Sequence, residues 1–306
     1  MARFVILGFK NAGKTCYMAG VHNLMTYGLN GFLMLASDHD KGRFLENIWK
    51  GIRMGEFPDP TDLPDEYNFK LAHGFNYLCE FDWLDFSGGS IGNRDNPVYV
   101  RLQNDLSICD GLTLLVDGDR FNCTARDDEE YKEKVLENLA PEAEAVRMLS
   151  EVIVQRSING DPLTSIAVVV SKADLVPMNV SNTLIEEILK EKLNVFFAPG
   201  GGQLTCVILM TLGEGVDKGG KIAPKNIEQP IAYMALNTFL IEKLKLEDPN
   251  NPLPQDLRKE YSARAEKAGI HTLNLINAFP QSKMMYVNGV KTSLHEFYAE
   301  RLKRQD

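Results

Sequence analysis

The stretch Gly8-Phe9-Lys10-Asn11-Ala12-Gly13-Lys14-Thr15 constrains this chain more than any other, because of what stands on either side of it. Residues 3–7 are a short apolar, β-branched run, too brief for a helix and suited to a buried strand. From Lys14 onward, Tyr17, Met18, Val21, Leu24 and Met25 recur at three-to-four spacing, which predicts an amphipathic helix ending near Gly28. A glycine-rich turn between strand and helix aims backbone N–H groups at one point, and the helix adds its positive N-terminal end. Gly8 and Gly13 keep that space clear of side chains, Lys14 offers a point charge and Thr15 a hydroxyl. The pattern Gly-x-x-x-x-Gly-Lys-Ser/Thr in this context is a polyphosphate cradle with a ligand for Mg²⁺.

Further along, strands are expected at 32–36, 112–116, 166–170 and 207–210, and helices at 44–52, 184–193 and 231–244. The runs 112–116 and 166–170 are continuously apolar, as strands covered by helices on both faces must be. One long helix is expected from Val135 to Ile153, after the acidic residues Asp127 to Glu130. Segments 68–72 and 76–84 read as a hairpin, whose second arm ends at Asp85 and carries Glu80 and Asp82 on one face, more like a hairpin arm than a central strand. Strand and helix in alternation imply an α/β fold, a mostly parallel, helix-wrapped sheet of about six strands plus that hairpin. After residue 247 the proline-rich stretch 248–254 breaks the pattern, so a domain at 1–247 is expected to carry a small C-terminal α+β extension at 248–306, packed on it or serving as a partner-binding tail. That extension should hold a helix near 257–268, a hairpin turning at Asn288-Gly289 and a helix over 294–303.

Composition narrows the function. The net charge of −9 argues against a nucleic-acid surface. The five cysteines are scattered and odd in number, which suits reduced thiols in the cytoplasm, and no apolar stretch has signal-peptide or membrane-spanning length.

Four short motifs follow one another in order, each after an expected strand: the cradle, Asp85-Phe86-Ser87-Gly88, Ser171-Lys172-Ala173-Asp174 and Thr211-Leu212-Gly213-Glu214. With them the chain resembles a TRAFAC-class, Ras-like P-loop GTPase, in a bacterial or phage-type double-GTPase-like branch, over about residues 3–245. The resemblance implies that Gly8, Asn11, Ala12, Gly13, Lys14, Thr15 and Cys16 hold the phosphates of GTP or GDP. It implies that Thr15, Thr61 and Asp85 hold Mg²⁺, Thr61 being the sole threonine between Thr26 and Thr113, and that Gly88 donates its N–H to the γ-phosphate. Lys172 would pack over the base and Asp174 would accept from guanine N1 and N2, a donor pair that adenine lacks. Ser171 stands where the family has Asn or Thr, tying this loop to the cradle, and a backbone N–H around Leu212 would approach the guanine oxygen. Where Ras-like enzymes commonly have a water-orienting glutamine, this chain has Gly89, so intrinsic hydrolysis should be slow. Arg94, ahead of Arg53 and Gln103, is the candidate charge stabiliser, and a partner protein could supply an arginine instead. The expected function is a Mg²⁺-dependent GTPase switch with a protein effector or activator. A nucleotide-gated scaffold with little turnover and a P-loop ATPase are the alternatives.

Overall fold

In the computed structural model, which describes residues 2–9, 11–59, 64–74, 76–86, 97–159, 165–216, 219–247 and 258–303, the first apolar run is strand β1 (Ala2–Gly8). Its side chains alternate between two cores, Phe4 and Ile6 into one, Val5 and Leu7 into the other. The first core is closed by α1 (Lys14–Thr26), α2 (His39–Arg53) and α7 (Gln229–Glu247), with α8 (Arg258–Ile276) and α9 (Leu294–Leu302) beside them. The second is closed by α3 (Pro97–Ile108), α4 (Asp128–Asn138), α5 (Ala140–Ile158) and α6 (Asn182–Lys192).

Between these layers lie β2 (Phe32–Ala36), β3 (Asp65–His73), β4 (Asn76–Asp85), β5 (Gly111–Asp117), β6 (Ser165–Ser171), β7 (Leu204–Leu209), β8 (Met284–Val287) and β9 (Val290–Ser293). Among the described residues they form one nine-stranded sheet in the order β2-β3-β4-β1-β5-β6-β7-β8-β9. Strands β4, β1, β5, β6 and β7 run parallel, and the pairs at either end are antiparallel. The α/β class is as expected, but a sheet of about six strands is not. Both hairpins join the main sheet instead of standing apart from it, β4 by pairing with β1 and β8 by pairing with β7, where each covers an edge that would otherwise be open.

Strand β4 is therefore interior, contrary to the reading of its polar face. Its carboxylates are matched across the hairpin, Asp82 Oδ1 accepting from Asn68 Nδ2 at 3.0 Å and Glu80 lying 3.6 Å from Lys70 Nζ. The single long helix is also corrected: the chain breaks at Leu139 into α4 and α5, with Pro141 in the first turn of α5, where its missing N–H costs nothing. Helix α8 runs to Ile276, past the expected end, and α3 was not foreseen. At the far edge, α9 is tied inward by Tyr298 Oη, which donates to Asn237 Oδ1 at 2.5 Å, while Asn237 Nδ2 donates to Ser165 Oγ at 2.8 Å. All five cysteines are free, and among the described residues no helix is long and apolar enough to cross a membrane.

Candidate functional site

Five parallel strands end at the same sheet edge, and each of their C-terminal ends contributes to one cluster. Strand β1 ends at Gly8, whose neighbour in β5 is Leu115. A Cβ at Gly8 would stand 2.8 Å from the Leu115 carbonyl oxygen, so only glycine fits. The chain then turns through Asn11 (φ 71°) and Gly13 (φ 79°), both left-handed, with Ala12 N–H donating to the Phe9 carbonyl at 3.1 Å. Gly13 caps α1 without any side-chain hydrogen bond, which leaves the first-turn N–H groups of that helix without a capping side chain. Lys14 Nζ spans the loop, donating to the carbonyls of Gly8 at 2.8 Å and Phe9 at 3.3 Å. Burial pulls the Lys14 pKa down, and the charge of Asp85 acts against that. Uncapped helix N–H groups and one desolvated cation make an anion site.

Strand β4 brings Asp85 beside Ile6 in register with β1. The carboxyl is 2% exposed. Burial pushes its pKa up to about 6 from 3.8, with Asp65 raising it further, while Lys14 and a hydrogen bond from the Thr15 side chain act the other way. Asp85 Oδ1 is buried with no hydrogen-bond partner among the described residues. An orphaned carboxylate oxygen beside a hydroxyl is a hard-oxygen donor set, and it suits Mg²⁺, which takes few protein ligands and fills its octahedron with water and phosphate oxygens. Accordingly, no larger group of His, Cys, Asp and Glu that could cage a metal occurs among the described residues.

Asp85 yields a pH prediction. A carboxyl whose folded pKa is raised stabilises the ligand-free fold while protonated, fully below about pH 4. That contribution is lost as pH rises through about 6, a change on the order of 3 kcal/mol for about two pK units. Asp85→Asn should remove this slope. Urea unfolding of both proteins between about pH 4 and about pH 7 checks it, and parallel stability curves would refute the assignment.

Strands β5, β6 and β7 complete the edge. Ser171, 3% exposed, places its hydroxyl 2.8 Å from the Ala12 carbonyl and 3.2 Å from that of Val116, which joins the β6 end to the Gly8–Thr15 loop. Lys172, left-handed at φ 48°, donates to Asp117 Oδ2 at 2.7 Å. Asp174 Oδ1 accepts from Thr211 Oγ1 at 2.5 Å and Oδ2 from Gly215 N–H at 3.4 Å, so the loop after β7 orients the carboxylate. Leu212 packs its side chain against Gly20 of α1, and its carbonyl accepts from Ala223 N–H at 2.9 Å. Cys16 is half-buried in the first turn of α1, and burial pushes its thiol up to about 11.

Gly8, Asn11, Ala12, Gly13, Lys14, Thr15 and Asp85 thus come together, with Lys172, Asp174 and Leu212 on the same edge. Thr61, Gly88 and Arg94 lie outside the described residues, as does Gly89. Sequence reasoning passed over Asp117, Gly118 and Asp65. Asp117 ends the apolar strand β5 just as Asp85 ends β4, which was a usable signal. Asp65 stands opposite Asp85 across the hairpin, a register visible only once the strands pair.

No protein-family model matches this chain, and no curated protein matches it in sequence. Solved structures do match. One is a signal recognition particle receptor SRb-GTP/SRX complex from Chaetomium thermophilum, 12% identical, with a TM-score of 0.38 over 62% of this chain and 78% of that one. Two are GDP-bound NFeoB mutants from S. thermophilus, 12% and 10% identical, with TM-scores of 0.35 and 0.32, each over 91% of this chain and 98% of that one.

Proposed function

We propose that this chain binds GTP and GDP with Mg²⁺ at the sheet edge and hydrolyses GTP slowly, as a member of the TRAFAC-class, Ras-like P-loop GTPases in a double-GTPase-like branch. One observation carries the reading: the Ser171 hydroxyl, 2.8 Å from the Ala12 carbonyl, holds the loop bearing Lys172 and Asp174 against the loop bearing Lys14. A ligand spanning both loops must put phosphates at one end and a hydrogen-bonding base at the other, which describes a nucleotide. Asp174, its carboxylate aimed by Thr211, presents two acceptors, and guanine offers the matching N1 and N2 donors.

In this reading the α1 N-terminus and Lys14 take up phosphate charge, and Thr15 and Asp85 would hold Mg²⁺. The cation supplies charge neutralisation at the phosphates, and the chain's own groups supply position. From the sequence, Thr61 and Gly88 are assigned to sensing the γ-phosphate and Arg94 to charge stabilisation. We place the boundary between the GTPase-like part and its extension at 247/248. The chain works in the cytoplasm with a protein effector or activator.

Asp174→Asn should weaken GTP binding at least about a hundredfold, since charge-assisted hydrogen bonds are worth about 1.5–3 kcal/mol each, and should leave ATP binding as it was. Competition of GTP, GDP and ATP for the wild-type and variant chains tests this. Equal loss for both bases would make the site indifferent to guanine. Gly89 favours a second reading, a nucleotide-gated scaffold, and multiple-turnover phosphate release separates the two.

A further inference from the structure

A groove of about 700 Å³ runs between α5, the last turn of α6 and the 3-10 turn Asn194–Phe197. It lies at the opposite sheet edge from the nucleotide loops: Lys190 on its wall donates to the carbonyl of Gly289 in the β8–β9 turn, next to the Val287 pairing with Leu204 at the start of β7. Ala143, Val146, Arg147 and Ser150 present one face of α5 to it, at helical spacing. The apolar lining open to a ligand is Ala143, Val195 and Ala198, half-buried, and Pro199, exposed.

The rim is cationic. Arg147, Lys190 and Lys192 line it, and among the described residues no carboxylate does, Glu144 standing behind Arg147, in a chain with 42 acidic residues against 33 basic ones. The lysines sit in the last turn of α6, where cations suit the helix dipole, and Arg147 stands inside α5, paired at i,i+3 with Glu144. The three cations are anchored apart. Arg147 reaches Glu144 on its own helix at 2.8 Å, Lys190 lies over the Tyr286 ring at 5.4 Å, and Lys192 has no partner among the described residues.

We propose that this groove docks a short acidic segment of a partner protein, an extended stretch that alternates carboxylates with apolar side chains. Separated cations on two walls match spaced carboxylates better than a single phosphate, and the apolar lining receives the intervening side chains. A nucleic acid fits poorly, because Phe197, 3% exposed and edge-on to Tyr286 at 5.0 Å, offers no face for base stacking. The surface is separate from the nucleotide site and stands whether or not GTP binds.

A phage-displayed library of random peptides of about twelve residues, selected on the full chain, tests the proposal. Two variants serve as counter-targets: Arg147→Glu with Lys192→Glu reverses the rim charge, and Ser150→Trp fills the groove without changing charge. Urea midpoints like that of the wild type verify that both fold. Enriched peptides should carry several Asp or Glu residues among apolar ones and bind each variant at least about tenfold more weakly. The proposal is overturned by no enrichment, by enriched peptides without acids, or by undiminished binding to both variants. Tighter binding of a short single-stranded DNA or of phosphatidylserine vesicles overturns it equally, as does self-association of the chain through this face in sedimentation.

Discussion

Lys14→Ala will raise the dissociation constant for GTP by at least about a thousandfold, or about 4 kcal/mol. The ammonium is 7% exposed and already held by the Gly8 and Phe9 carbonyls. Much of its desolvation is therefore met in folding, and an arriving phosphate gains a positioned charge with little reorganisation. Alanine would leave those two carbonyls pointing toward the anion with no cation between them. It would also remove the attraction that lowers the Asp85 pKa, so that this carboxyl would shift further up and hold Mg²⁺ less well at neutral pH. Calorimetric titration with Mg²⁺ and GTP checks this, with a thermal melt to verify the fold. Binding within about tenfold of the wild type would remove the Gly8–Thr15 loop from the nucleotide site.

Gly118→Ala is expected to act on the fold itself, at a cost of about 3 kcal/mol or more. A Cβ at Gly118 would lie 2.3 Å from the carbonyl oxygen of Lys172 and 2.4 Å from that of Ser171. Neither atom belongs to a side chain that could rotate away. The β6 end is pinned by Ser171 to Ala12 and Val116 and by Lys172 to Asp117, so it can yield only by giving up those bonds. The urea midpoint should fall and guanine affinity should fall with it, whereas Lys14→Ala affects binding with the fold intact. An unchanged midpoint would show that the β6 end can yield without giving up those bonds.

Local chemistry made much of this edge readable. Glycines and a lysine between a strand and a helix fix the cradle by short-range geometry alone, while the tie that Ser171 makes to Ala12 is implied by the family resemblance and not by its neighbours in sequence. The errors came from interactions far apart in sequence. Glu80 and Asp82 look like the face of an edge strand until Lys70 and Asn68 are seen across from them, and nothing near β4 announces that its second neighbour is β1. Gly118 reads as an ordinary turn glycine, because the carbonyls that demand it lie more than fifty residues on. Helix α3 is a different case. Tyr99, Leu102 and Leu106 keep helical spacing, so the signal for this helix is local and present in the sequence.

The late strands have a bearing on biosynthesis. The groups assigned to phosphate, cation and base are all encoded by residue 215, yet the outer edge of β7 acquires its cover only with residues 284–293. A nascent chain emerging at the pace of translation could therefore assemble the nucleotide site while that edge, and the α7 surface that α9 later covers, still lack their partners. On the proposed reading, ligand present at that moment would brace the half-finished sheet, so that nucleotide would aid folding as well as fill the site.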